Sequence, residues 1–182
     1  MTMMRVMPTV ALTLQLVLLG STACGETTRP DGGKGLLAVG AKAPDLDGRD
    51  ARDKPIRLSS VKGKPALVYF YPKDETPGCT KQACALRDRF EAYQDAGVTI
   101  FGVSRDSEAS HRAFRKTHSL PFPLVADESG AVQTAYGVPS RIPGIAARVS
   151  FLIDAEGRIA RVWPEVDPVA NASQVLAAAK AL

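Results

Sequence analysis

Seven residues, Pro65-Ala-Leu-Val-Tyr-Phe-Tyr71, constrain most strongly what this chain can fold into. The run is apolar, rich in β-branched and aromatic side chains, and stopped by Pro72, so it reads as a buried strand. From Cys79 to about Asp95 the pattern changes. Leu86, Phe90 and Tyr93 recur at spacings of four and three, the period of a helix, and Gly97 ends it. Val98–Val103 (VTIFGV) is a second buried strand. Strand, helix and strand in close succession form a βαβ unit, normally a right-handed crossover in a parallel sheet.

The rest extends that unit. Ser107–His118 reads as a helix capped by Asp106 or Ser107, with His111 and His118 on its exposed face. Pro121–Val125 is extended, Ser129–Tyr136 is a short helix closed by Gly137, and Arg141 falls in a solvated loop. Val149–Ile153 and Arg158–Trp163 are strands joined by the turn Asp154-Ala-Glu-Gly157, with Trp163 in packing or at a strand edge. Asp167-Pro168 marks an N-cap with Pro in first helical position, and Val169, Ala172, Leu176 and Ala179 form one face of a final helix. The triplet Asn171-Ala-Ser has the form of a glycosylation acceptor and reads as chance. This order fits an α/β domain of three layers with a mixed central sheet.

The chain has 182 residues, enough for one domain with a core. A formal net charge of +4 scattered along the sequence, with 6% aromatic residues, points away from nucleic-acid or polybasic membrane binding. Two histidines and three cysteines without CxxC or HExxH spacing point away from a metal site.

Residues 1–23 read as a signal peptide. Arg5 precedes an apolar run, Val10–Gly20, about half the ~20 residues a membrane span needs. Ser21-Thr22-Ala23-Cys24 resembles a lipobox, although Ser21 stands where a branched apolar residue is usual. Two readings follow: cleavage before Cys24 with a lipid on its thiol, or ordinary signal-peptide cleavage leaving Cys24 free. We favour lipidation, because a free thiol in an oxidising compartment is a liability. The protein is then exported, to a periplasm or as a membrane-anchored bacterial lipoprotein, and touches membrane only through that anchor. Residues 24–40, rich in Gly and polar side chains, read as a flexible tether, leaving 41–182 as the domain.

The chemistry concentrates in Tyr71-Pro-Lys-Asp-Glu-Thr-Pro-Gly-Cys-Thr-Lys-Gln-Ala-Cys84, at the carboxyl end of a strand and the amino end of a helix. A cysteine in a first helical turn meets unpaired N–H groups and the positive end of the helix dipole, which favour the thiolate. Asp74 and Glu75 would oppose this if close, so a nearby cation would help. Five residues apart on a regular helix, Cys79 and Cys84 have Cα atoms about 8–9 Å apart. A disulfide needs roughly 4.4–6.8 Å. Bridging this pair therefore requires the first turns to unwind.

PxxxTxxC, present as Pro72, Thr76 and Cys79, resembles the peroxiredoxin signature. The longer YPKDETPGCT, with Cys84 following, resembles the peroxiredoxin Q or bacterioferritin comigratory group, as do FEAYQDAGVTIFGVSRDS, LPFPLVAD, AYGV and RVSFLID in the same order. The resemblance implies a thioredoxin-like fold with peroxiredoxin additions. It implies Cys79 as the peroxidatic thiol that becomes a sulfenic acid, and Cys84 as its resolver in an intramolecular disulfide. It implies Thr76 as a hydrogen-bond partner of the peroxide, Pro72 as a shield, and Arg148 as the missing cation. It further implies hydrogen peroxide and organic hydroperoxides as substrates, a thioredoxin-like protein reductant, no metal, haem or flavin cofactor, and a monomer. Two other functions compete: an exported thiol–disulfide oxidoreductase acting on proteins, which would ordinarily use CxxC, and a non-catalytic lipoprotein.

Overall fold

The computed structural model describes residues 27–49 and 55–182. The expected signal peptide and Cys24 lie outside the described residues. The elements in chain order are strands β1 (Gly48–Arg49) and β2 (Pro55–Ile56), a 3-10 turn at Leu58–Val61, β3 (Ala66–Phe70), α1 (Pro77–Arg87), α2 (Phe90–Asp95), β4 (Thr99–Ser104) and α3 (Glu108–His118). There follow β5 (Leu124–Ala126), α4 (Ala131–Ala135), β6 (Ser140–Ile142), β7 (Ile145–Ala146), β8 (Val149–Ile153), β9 (Ile159–Trp163) and α5 (Ala170–Ala179).

The five-stranded sheet has the order β5-β4-β3-β8-β9. β3 runs parallel to β4 and antiparallel to β8, so the sheet is mixed, as the thioredoxin-like reading requires. All five residues of β3 are buried, because a central strand covered on both faces has no solvent side. Its side chains alternate between two cores. Leu67 and Tyr69 join Cys79, Leu86, Tyr93, Phe114 and Val175 on the face covered by α1, α2, α3 and α5. Ala66, Val68 and Phe70 join Leu37, Leu46, Ile56, Tyr136 and Val138 on the other face, where α4, the 3-10 turn and the N-terminal segment form a thinner layer.

Several expectations need correction. The helix read from Cys79 to Asp95 is two helices, because Arg89 leaves helical geometry (φ −113°, ψ 10°). His111 is buried, not exposed. On α5 the buried set is Asn171, Ala172, Val175 and Ala179, whereas Val169 is exposed; Asp167 caps that helix by accepting from the Val169 and Ala170 amides at 2.9 and 2.7 Å. Arg141 lies in β6, not in a loop. Ser107 is the cap of α3, accepting from the Ser110 amide, and Trp163 is both buried and on the edge strand.

The described part of the expected tether is also held in place. Thr28 bridges Lys34, and the Arg29 guanidinium donates to the carbonyls of Lys34 and Gly35 at 3.1 and 2.7 Å. The Leu37 amide donates to the Tyr136 carbonyl at 3.1 Å, and its side chain is only 6% exposed. Composition alone reads this Gly-rich stretch as loose; one buried leucine and one arginine clasp fix it. Leu37→Ala is therefore expected to cost about 2–4 kcal/mol in urea unfolding. A tether residue would give no change.

Candidate active site

Register builds the site. Phe70 pairs with Val149 at the carboxyl end of β3, so Arg148, one residue earlier, stands beside the point where the chain leaves β3 for α1. Cys79 is the third residue of α1 and is 2% exposed. Arg148 Nη2 donates to its Sγ at 3.3 Å. Pro77 has no amide hydrogen, so the first free N–H groups of the helix are those of Gly78 and Cys79. Gly78 has a steric reason: a Cβ there would lie 3.1 Å from Nη2 of Arg148. The sequence-expected Pro72, Thr76, Cys79 and Arg148 thus meet at one place. Cys84 lies further along the same helix, and both thiols are free.

Thr76 occupies the N-cap position, but its hydroxyl does not cap. It donates to the Lys73 carbonyl at 2.9 Å. Its oxygen lone pairs remain able to accept from a peroxide O–H. Pro72, Thr76, Ile145, Arg148 and Val166 line an open pocket of about 650 Å³. Its walls are largely apolar, and Ile142 on the β6–β7 hairpin stands 59% exposed beside it.

The acidic residues before Cys79 are disposed of in different ways. Asp74 is buried and accepts from Tyr71 Oη (2.8 Å), Ser110 Oγ (2.7 Å) and His111 Nδ1 (2.9 Å). His111 Nε2 faces the Val125 carbonyl at 3.2 Å, an acceptor only. The His111 ring thus bridges the Asp74 carboxylate on one side and a strand carbonyl on the other. Burial alone would raise the Asp74 carboxyl, but the hydrogen bond and charge of His111, with Ser110 and Tyr71, hold it below the usual carboxylate range. Burial pushes the Tyr71 hydroxyl well above its ordinary value, so it stays a donor. Glu75 sits in the left-handed region (φ 58°), a strained conformation for a residue with a Cβ, and its carboxylate meets His118 Nε2 at 3.0 Å. Both histidines of α3 thus hold the loop that leads into Cys79.

Sequence reasoning missed three residues here. His111 shares a helical face with buried Phe114, three residues on, a signal that was available. Gln82, three residues after Cys79, also lies on that cysteine's face and is fully buried. Asn171 carried no readable signal. Among the described residues no group of three His, Cys, Asp or Glu side chains could hold a metal ion.

The AhpC/TSA family model matches residues 39–162. This chain belongs to that family. It is a peroxiredoxin of the Q or bacterioferritin comigratory type, and its activity is that of a thiol-dependent peroxidase. The chloroplastic peroxiredoxin Q of Sedum lineare is 46% identical over 128 residues, 70% of this chain and 69% of that protein. Peroxidoxin BcpB of Mycobacterium tuberculosis superposes with a TM-score of 0.75 at 29% identity, covering 80% of this chain and 98% of the other. The bacterioferritin comigratory protein of Xanthomonas campestris, solved for its alkyl peroxide reduction activity, gives 0.72 at 33% identity, covering 81% and 98%.

The Asp74–His111 pair is a testable part of this peroxiredoxin. Asp74→Ala takes the shared acceptor from Tyr71, Ser110 and His111 and is expected to cost about 1–3 kcal/mol. Because the folded Asp74 carboxyl is held low, the carboxylate's contribution is complete above the unfolded value of about 3.9 and is lost as pH falls through the folded value. Urea midpoints measured against pH should show the wild type losing stability over that acid window and Asp74→Ala losing less.

Proposed function

We propose that this peroxiredoxin reduces hydrogen peroxide and organic hydroperoxides with Cys79, resolves the product with Cys84, and is recycled by a thioredoxin-type dithiol. The observation that carries the reading is the 3.3 Å contact of Arg148 with the Cys79 sulfur at the first turn of α1. The thiolate attacks one peroxide oxygen, the O–O bond breaks, and the sulfur loses two electrons to become a sulfenic acid. The leaving oxygen takes a proton and departs as water or an alcohol. Arg148 offsets charge on the sulfur before attack and on the leaving oxygen during it. Thr76 accepts from the peroxide O–H and fixes its direction. The apolar pocket wall, with Pro72, Ile145 and Val166, suits an organic substituent.

Cys84 then attacks the sulfenic sulfur, water leaves, and a disulfide forms. Both cysteines belong to one continuous helix, so α1 must open first. A dithiol reductant returns two electrons and two protons. The rival protein thiol–disulfide oxidoreductase is not favoured: the two thiols stand five residues apart, not three. Export, with residues 1–23 removed and lipid on Cys24, belongs to the same proposal and rests on the sequence pattern alone.

The test is stopped-flow oxidation of the reduced protein by one equivalent of hydrogen peroxide, followed by peptide mapping. Fast oxidation with a Cys79–Cys84 disulfide is expected. Oxidation at the pace of free cysteine would refute the reading. Cys79→Ser is expected to abolish activity, and Cys84→Ser to permit one turnover and then accumulate sulfinic acid. Arg148→Met should slow the peroxide step roughly 10²–10³-fold.

A further inference from the structure

A buried polar chain leads from the site to the last helix. Arg148 Nη1 donates to Gln82 Oε1 at 2.7 Å, Gln82 Nε2 donates to Asn171 Oδ1 at 3.4 Å, and Ser150 Oγ donates to that same oxygen at 2.8 Å. Gln82, Asn171 and Ser150 are fully buried. The guanidinium can only donate, and this sets the direction of the first two links. Gln82 must turn its carbonyl oxygen to Arg148 and its NH2 to Asn171, and Asn171 must present its oxygen. In that orientation Asn171 Nδ2 is buried with no hydrogen-bond partner among the described residues. A desolvated donor without a partner is unfavourable to the fold. The neighbouring buried positions of α5, Ala172 and Val175, are apolar.

Function accounts for the exception. Among the described residues no carboxylate pairs with Arg148; its guanidinium meets only the amide of Gln82 and the sulfur of Cys79. A carboxylate would aim the guanidinium but absorb its charge. A neutral amide aims it and leaves the charge to the sulfur. Resting on the roles proposed for Cys79 and Arg148, we propose that Asn171 is a positioning residue which, through Gln82, holds Arg148 against Cys79. Ser150, fixed in β8, anchors the oxygen from below. Gln82 lies between the two cysteines on α1. When that helix opens for the disulfide, Gln82 leaves and Arg148 loses its holder. The guanidinium is therefore aimed at the sulfur only while peroxide can reach it.

The test uses Asn171→Leu, which removes the acceptor while keeping the branched shape of the side chain, with Gln82→Met, the double variant and Arg148→Met. Two quantities are read on the reduced protein: the rate of oxidation by hydrogen peroxide and the pH dependence of thiolate ultraviolet absorbance. Asn171→Leu is expected to slow the peroxide step roughly tenfold, the worth of one good hydrogen bond, and to move the thiolate transition to higher pH. The double variant should be no slower than the slower single variant, because one chain is cut twice. Leu176→Ala, on the same helix and away from the chain, should lower thermal stability and leave the pH profile in place. A wild-type rate and pH profile in Asn171→Leu, or losses that multiply in the double variant, would overturn the proposal. If Asn171→Leu does not fold, Asn171→Ala makes the same cut. A silent Arg148→Met overturns the reading beneath the proposal, and the proposal with it, whereas a slow Arg148→Met beside a normal Asn171→Leu rejects Asn171 alone.

Discussion

The pairing of β3 with β8 fixes everything that follows in this molecule. β3 is bonded on both edges and buried on both faces, so it cannot slip by one residue without turning Val68 and Phe70 into the wrong core. Antiparallel pairing brings the start of β8 to the end of β3, and α1 begins there. A cationic residue just before β8 and a cysteine in the first turn of α1 are adjacent for that reason, although 69 positions separate them in sequence. Had β8 run parallel, its first residue would lie at the other end of the sheet.

Around that junction the structure keeps its charges apart. Arg148 is held by neutral groups and faces the sulfur. Asp74, the anion that would oppose a thiolate, is given to His111 and surrounded by donors. In a low-dielectric interior an unmatched charge is costly and a matched one exerts little field outside its pair. One network thus supplies a positive field at Cys79, and the other removes a negative one. The second also pins the loop before α1, where Glu75 sits in a backbone conformation that free chains seldom adopt.

Much of this was legible in the sequence. Apolar runs identified β3, β4 and β8, turn chemistry located the β8–β9 hairpin, and the ordered motifs identified Pro72, Thr76, Cys79, Cys84 and Arg148 as a set. What escaped has physical causes. Periodicity registers burial of apolar residues, so a buried histidine such as His111 was assigned to the wrong face even though Phe114 shares it. The one-residue interruption at Arg89 leaves the spacing of Leu86 and Tyr93 unchanged and is invisible to a periodic reading. Composition treated residues 27–40 as loose because their glycines outnumber the one leucine that docks. Asn171 was unreadable because its role exists only through Gln82, a contact across 89 positions.

The length of α1 has a consequence of its own. The helix spans Pro77–Arg87, with Cys79 near its start and Cys84 past its middle. Freeing the residues between the thiols leaves at most Cys84–Arg87, barely one turn. A single turn lacks the backbone bonds to sustain itself, since helix formation requires a nucleus before it gains from propagation. The segment therefore behaves as one cooperative unit, wound or open, with no stable half-wound state. Disulfide formation here is a helix–coil transition with a chemical trap at its end, and Leu86, fully buried, anchors the far end of the helix.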